Sequence, residues 1–171
     1  MYRFVTTLVL TAAGALPMLA QEGPAGVMPI LVQHWKTSKQ YVVALAEQMP
    51  AGDYSFKPNP AEMSFGEQMA HIAQSNGYFF SKLSGKKNPI SKPANYDKAT
   101  VLKMLNASYD FCIDALGSLE PEQMHATIDT GDGKMSGIEV LLLAADHTAH
   151  HRGQAIVYLR LKNIKPAEYQ F

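Results

Sequence analysis

The stretch His147-Thr148-Ala149-His150-His151-Arg152-Gly153-Gln154 lies inside a long helical pattern and holds three of the chain's six histidines. His147 and His151 are four residues apart, so on a helix their Cβ atoms are neighbours at roughly 5–6 Å. Two imidazoles at this spacing can bind one metal ion, and a tight site needs at least one more ligand. His71 lies in another helical segment, and we expect helix packing to bring it to His147 and His151.

Four helical segments cover most of the chain downstream of residue 26. Each has apolar residues at the helical period, and their expected bounds are 27–49, 64–83, 98–116 and 136–163. The second and fourth segments open with Ser-x-x-Glu, the pattern of a capping box. No run of residues favours a strand. We therefore predict an all-α protein, an antiparallel four-helix bundle, which is a fold that builds metal sites from side chains on facing helices.

The histidines occupy distinct faces of their helices. His71 lies with Glu67 on a polar strip of the second helix, away from its apolar stripe. Such a strip is either a solvated face or one wall of a wet cleft, and the second histidine motif favours the cleft. His147 and His151 share a partly apolar face, where an unpartnered imidazole is costly. The run over 140–145 is apolar all round, which predicts burial on more than one side of the fourth helix.

Composition limits the classes of protein to consider. The chain has 171 residues, which suggests one domain, and its formal net charge of zero gives no electrostatic case for nucleic acid or an anionic membrane as partner. Its hydrophobic fraction of 47% is enough for a sizeable core. The lone Cys112 cannot form an internal disulfide, and we expect it to pack as a small hydrophobic residue.

Residues 1–20 are typical of a secretory signal peptide. Arg3 carries one positive charge before an uncharged run over 4–19, and small and polar residues follow. The alternative, an uncleaved membrane anchor, is disfavoured because the run is short and interrupted by glycine and proline. We therefore expect an exported protein, periplasmic or secreted, without stable membrane insertion after cleavage. A short linker over 21–26 would then precede the domain at 27–171.

Three motifs resemble the DinB-like superfamily, a family of damage-inducible four-helix bundles distinct from the DNA polymerase of the same name. The motifs are Ser64-Phe65-Gly66-Glu67-Gln68 with His71-Ile72, the stretch from His147 to Gln154, and Asn163-Ile164-Lys165-Pro166 with Glu168-Tyr169. The resemblance covers the chain from about Val27 to its end. It implies a three-histidine divalent-metal site whose ligands map to His71, His147 and His151. His150 is then the non-ligand histidine, and Gly153 is expected to allow close helix packing.

The resemblance also implies a class of activity. Characterised relatives include thiol-dependent transferases and isomerases, and other members are regarded as metal-dependent hydrolases. We therefore expect a divalent-metal-dependent enzyme in which the three-histidine site activates a water or thiol nucleophile. Zinc or nickel is the expected cofactor, with manganese and iron as alternatives. The alternative function is a non-catalytic exported bundle that binds a metal or small ligand.

The general base is the least determined part of this expectation. Glu67 precedes His71 by one helical turn and is the leading catalytic candidate, although its place in the capping box offers a purely structural role. Tyr78, Asp146 and His34 are weaker candidates, His34 as a residue at the mouth of the metal site. The expected partner is a small-molecule substrate, and a homodimer is left open.

Overall fold

The protein is described by a computed structural model covering residues 24–131 and 133–170. Four long helices dominate it, and a short hairpin precedes the last one. The elements are α1 (Pro24–Gln48), α2 (Phe65–Ser84), α3 (Lys98–Gly117), β1 (Thr127–Asp129), β2 (Lys134–Ser136) and α4 (Gly137–Leu161). Single 3-10 turns lie at Ala51–Asp53 and Pro121–Met124. The predicted four-helix bundle is confirmed.

Local side-chain hydrogen bonds fix where two of the helices begin. At the start of α2, the Ser64 side chain accepts from the Glu67 N–H while the Glu67 carboxylate accepts from the Ser64 N–H. Ser136 and Glu139 form the same reciprocal pair at the start of α4. Each box satisfies N–H groups that a helix terminus otherwise leaves without partners. Because α2 and α4 carry the histidines, these two caps set the register of the candidate site.

The N-terminal boundary differs from the prediction. Helix α1 begins at Pro24, so the second half of the expected linker at 21–26 is helical. The predicted signal peptide, residues 1–20, lies outside the described residues. Among the helices that the structure describes, none has the length and apolar character needed to cross a membrane.

The expectation that the chain contains no strand was wrong. Thr127 pairs with Ser136 and Asp129 with Lys134 in a short antiparallel ladder that leads into α4. Each strand has only three residues, which is too short to produce a recognisable alternation of apolar and polar side chains. The turn between the strands contains Gly131, whose φ of 82° is a conformation that favours glycine.

Helix α2 is the centre of the bundle, packing against both α3 and α4, while α1 packs against α3. Contacts at Ser38–Tyr109 and Met49–Lys98 show that α1 and α3 are antiparallel. The pairs formed across α2 and α4 likewise run in opposite directions. The core between the helices is built from large side chains that are almost fully buried, among them Trp35, Leu45, Phe65, Phe80, Tyr109 and Leu159.

The expected burial of α4 on more than one side was wrong. Leu142 is 62% exposed, and Ile138 on the same face is 39% exposed. The reason is that α1 and α4 touch little, so their facing apolar side chains line an open groove of about 520 Å³ instead of closing on each other. An apolar run of sequence shows that a face is hydrophobic, but the position of the next helix decides whether that face is covered.

Candidate metal centre

Antiparallel packing of α2 on α4 brings His71, His147 and His151 together. Each ring offers one nitrogen, and these three atoms lie within 4.8 Å of one another. The Nε2 atoms of His71 and His147 are 3.1 Å apart. The ring centroids are separated by 4.5 to 4.9 Å, and all three side chains are half-buried. The juxtaposition expected from the sequence is therefore present, and it joins the polar strip of α2 to the histidine face of α4.

Burial keeps His147 and His151 neutral. Burial, the largest cause, and the neighbouring histidines together lower the pKa of both side chains to about 4. The pKa of His71 is also lowered by burial. Because a metal binds the neutral imidazole, the lone pairs of all three rings are available near neutral pH without a proton having to leave.

His147 and His151 differ in how their second nitrogen is held. His151 Nδ1 lies 2.6 Å from Oε1 of Gln68, whose side chain is 1% exposed. His147 Nδ1 is buried and has no hydrogen-bond partner among the described residues. On its other side, His147 Nε2 lies 3.4 Å from Ser75 Oγ, again from the polar strip of α2. Gln68 belongs to a motif that is recognisable in the sequence, but the motif indicates no role for it. Only the packed structure shows what a buried amide contacts.

The donor set fits a divalent metal ion. Three imidazole nitrogens that converge from two helices match the protein ligands of open zinc sites, in which further positions remain for water or substrate. Among the described residues, no aspartate, glutamate or cysteine joins this cluster. His150 points its Nε2 toward Gln154 at 3.3 Å and is exposed, consistent with the non-ligand place that the resemblance gave it.

Glu67 uses its carboxylate at the helix terminus. Oε2 accepts from the Ser64 N–H at 2.7 Å and lies 3.4 Å from Lys57 Nζ. The hydrogen bond from the Ser64 backbone is the largest of the effects that lower the pKa of Glu67, and the charge of Lys57 acts in the same direction. A carboxylate stabilised in this way is a weak proton acceptor. A catalytic role for Glu67 stays a prediction.

The weaker candidates lie in other surroundings. The Tyr78 hydroxyl donates to the Thr130 carbonyl at the tip of the hairpin. His34 lines the groove between α1 and α4 beside Ala145, so the idea that it lies at the mouth of the metal site was wrong. Ala145 and His147 are two residues apart on α4, so the groove and the histidines lie on different faces of this helix. Asp146 is exposed.

The residues after His151 also have defined surroundings. The Arg152 guanidinium lies 5.3 Å from the ring centroid of Tyr41 and 5.5 Å from that of Tyr169, which joins the C-terminal segment to α1 and α4. Gly153 is exposed, and a Cβ placed on it would meet no heavy atom within 4 Å. The expectation that Gly153 allows close helix packing was therefore wrong, because this side of α4 has no neighbouring helix.

Comparison with known proteins agrees with this arrangement of helices. The family model of the DinB superfamily matches residues 34–155. The uncharacterised protein YjoA of Bacillus subtilis (strain 168) is 30% identical over 135 residues, which cover 76% of this chain and 87% of YjoA. The fold and the site thus define the class of the protein, which is a four-helix bundle with a cluster of three histidines. The chain belongs to the DinB superfamily.

Solved structures show the same fold. The crystal structure of the DinB-like protein YjoA from Bacillus subtilis matches with a TM-score of 0.68 and 26% identity, over 83% of this chain and 96% of that one. A DinB-like protein from Bacillus cereus ATCC 10987 gives a TM-score of 0.73 at 17% identity, over 82% and 95% of the two chains. The second likeness shows the fold alone.

Proposed function

We propose that the protein is a divalent-metal-dependent enzyme whose metal is held by His71, His147 and His151. The observation that carries this proposal is the convergence of three ring nitrogens within 4.8 Å on half-buried side chains. Three neutral ligands from two rigid helices form a preorganised site, since the caps of α2 and α4 and the packing between them already fix the positions of the rings.

The proposed chemistry follows from the ligand count. With three protein ligands, a bound divalent metal would lower the pKa of a coordinated water or thiol toward neutrality and so supply a nucleophile. Hydrolysis and thiol transfer are the two reaction classes that use such a nucleophile. The histidines would orient this nucleophile through the metal. Ser75 Oγ lies 3.4 Å from His147 Nε2 and places a hydroxyl beside the histidines. We propose a small-molecule substrate, and zinc or nickel as the metal, with manganese and iron as alternatives.

A non-catalytic metal-binding bundle is the second candidate. It is favoured by the position of Glu67, whose carboxylate is hydrogen-bonded to the helix cap. No other carboxylate joins the cluster of histidines in the described part of the chain. A site without a neighbouring proton acceptor would bind and hold a metal but would assist proton transfer poorly.

Metal content measured by mass spectrometry tests the shared part of both candidates. We expect about one divalent metal per chain in the purified wild type, and loss of tight binding in His71→Ala, His147→Ala and His151→Ala. His125→Ala is the matched control, because His125 is exposed and lies outside the cluster. Equal metal content in the wild type and all four variants would refute the site.

Access to the metal then separates the two candidates. The cobalt-substituted protein should show a change in its visible spectrum when azide is added, if a coordination position is open to exogenous ligands. An open position justifies screening hydrolysis and thiol-transfer substrates with the metal found in the wild type. A spectrum that azide leaves unchanged would indicate a closed site and favour the non-catalytic bundle.

We also propose that the protein is exported. The support is the sequence of residues 1–20, with its single positive charge, uncharged run and small-residue exit. N-terminal sequencing of protein taken from its native host should begin near Gln21. An intact Met1 on protein from the cytosol would overturn this proposal.

A further inference from the structure

We propose that Gln68 is a positioning residue that fixes the tautomer of His151, so that His151 presents an unprotonated Nε2 to the metal. This inference rests on the proposed metal site and adds to it a residue outside the ligand set. It follows from a chain of hydrogen bonds that starts at a backbone carbonyl and ends at the imidazole. The chain joins Met63, Tyr158, Gln68 and His151.

The first link has only one possible direction. A carbonyl oxygen cannot donate, so Tyr158 must donate its hydroxyl proton to the Met63 carbonyl, 2.9 Å away. The hydroxyl oxygen of Tyr158 then has only acceptor capacity left for its other neighbour. That neighbour is the side-chain amide of Gln68, whose Nε2 lies 3.5 Å from the hydroxyl.

The direction of the first link orients the amide. Gln68 presents its NH₂ group to the Tyr158 oxygen, and its Oε1 therefore faces His151 Nδ1 at 2.6 Å. Because Oε1 can only accept, Nδ1 must carry the proton. A neutral imidazole has one protonated nitrogen, so the lone pair of His151 lies on Nε2. The backbone carbonyl of Met63 thus determines the tautomer of His151 through two side chains.

The reversed amide is disfavoured by the same geometry. It would place Oε1 of Gln68 against the Tyr158 hydroxyl, and two acceptors would then compete for one hydroxyl proton. Gln68 is 1% exposed and Tyr158 is 4% exposed, so bulk water has little access to either group. One buried acceptor would be left without a donor, which protein interiors rarely tolerate.

His147 provides the contrast within the same site. Its Nδ1 is buried without a partner among the described residues, and its Nε2 faces Ser75 Oγ and His71 Nε2. A hydroxyl and a second imidazole nitrogen can each donate or accept, so neither contact fixes one tautomer of His147. The three rings are therefore unequally prepared. His151 has its metal-binding nitrogen selected before any metal arrives, and it does not have to exchange tautomers on binding. Partners of this kind at the second nitrogen typically change metal affinity by about 10–100-fold when they are removed.

The direct test measures the tautomer in the metal-free protein by long-range proton–nitrogen NMR of the histidine rings, at about pH 8, where the ordinary histidine pKa of about 6.5 leaves the rings neutral. We expect the Nδ1–H form for His151 in the wild type. Gln68→Met keeps the length of the side chain and removes the acceptor, so the Nε2–H form should appear. Gln68→Glu keeps an acceptor and should restore Nδ1–H.

Metal affinity gives the second readout. Zinc titration against a chromophoric chelator should show binding weakened about 10–100-fold in Gln68→Met and recovered in Gln68→Glu. Tyr158→Phe removes only the hydroxyl and keeps the ring, so it should mix the two tautomers of His151. It is the variant to use if Gln68→Met does not fold. Asn76→Ala is the matched control, since Asn76 is another buried amide of α2, and its Oδ1 accepts a hydrogen bond from the Thr148 hydroxyl rather than from one of the three histidines.

The outcomes for the metal site and for Gln68 differ. An Nε2–H form of His151 in the wild type would overturn the inference, as would a tautomer and affinity that Gln68→Met leaves unchanged. A wild type that binds no zinc but shows the Nδ1–H form would refute the proposed function while supporting the role of Gln68. Loss of binding in His151→Ala with no effect of Gln68→Met would support the metal site and refute the positioning role.

Discussion

The Nε2 atoms of His71 and His147 lie 3.1 Å apart, although the two residues belong to different helices and the whole of α3 separates them in sequence. Two imidazolium ions cannot share this geometry, because their charges repel at such a distance. The pair is compatible with neutral rings that share a proton or a metal ion. Proton binding and metal binding therefore compete at the same atoms.

The first prediction concerns the stability of the metal-free protein as the pH falls. His147 and His151 have pKa values of about 4 in the folded chain, against about 6.5 for histidine in an unfolded chain. Between these values the unfolded state binds more protons, so the free energy of unfolding rises with pH. The contribution is complete above about pH 6.5 and absent below about pH 4. Because the rings are partly exposed, we expect only about 1 kcal/mol from each.

Urea unfolding with a chelator present, at about pH 7 and about pH 4.5, measures this dependence. The wild type should lose about 2 kcal/mol more on acidification than the double variant His147→Gln/His151→Gln. A control double change at exposed histidines, His125→Gln/His150→Gln, should keep the behaviour of the wild type. Identical acid sensitivity in the wild type and the His147/His151 variant would show that burial does not hold these rings neutral.

The second prediction separates the structural and catalytic roles of Glu67. Ser64→Ala removes the N-cap side chain and should lower the free energy of unfolding by about 1 kcal/mol, whereas Glu67→Gln should cost less, because glutamine also completes a capping box. Neither should change metal content, because the Glu67 carboxylate is not part of the histidine cluster. Chemical denaturation and mass spectrometry check the two statements. Loss of metal in Glu67→Gln alone would place the carboxylate in the metal site.

This pair of variants also tests catalysis once a reaction is known. Ser64→Ala damages the cap but keeps the carboxylate, whereas Glu67→Gln keeps the cap and removes the proton acceptor. Equal activity in the two variants would assign Glu67 to the helix terminus. A loss of activity confined to Glu67→Gln would support its role as general base.

How far the sequence predicts the fold depends on whether the signal is local. The capping boxes at Ser64 and Ser136 are local, and both helices begin where the pattern indicated. The spacing of His147 and His151 is also local, and it led to the right pair. By contrast, the three-residue strands are too short for a period, and they form because the turn brings Thr127 to Ser136.

The errors at the site arise from contacts between distant segments. Leu142 is exposed because α1 makes few contacts with α4. The sequence of α4 alone does not indicate where α1 packs. Gln68 could be recognised as a member of a motif, but its hydrogen bond to His151 joins residues on two helices. The sequence therefore predicted which histidines come together, and left open which residues hold those histidines in place.

The third prediction compares two helical glycines that both stand in the recognised motifs. A Cβ on Gly66 would overlap the carbonyl oxygen of Tyr96, whereas a Cβ on Gly153 would enter open space. Gly66→Ala should therefore destabilise the protein by about 1–3 kcal/mol, through overpacking against backbone. Gly153→Ala should stabilise it by about 0.5–1 kcal/mol, since alanine favours the helix. Thermal and urea unfolding measure both changes, and the same sign for the two variants would contradict the packing described for α4.

The last prediction concerns Arg152, which follows the ligand His151 directly. Its guanidinium lies against the rings of Tyr41 and Tyr169, so it links α1 to the C-terminal segment. Gln48 holds the same segment through hydrogen bonds with the backbone at Lys165 and Ala167. Removing either anchor should loosen the segment without unfolding the bundle, because large core side chains such as Leu45, Phe80 and Leu159 are not part of these contacts.

Arg152→Ala should lower the free energy of unfolding by about 1–2 kcal/mol, the sum of two cation–π contacts, and should accelerate amide hydrogen exchange over residues 164–170. Arg152→Lys should recover only part of the protection, because a compact ammonium cannot stack on two rings as a planar guanidinium does. Metal content should remain that of the wild type in both variants, since the side chain of Arg152 is not in the histidine cluster. Loss of metal in Arg152→Lys would show instead that this side chain supports the neighbouring ligand His151.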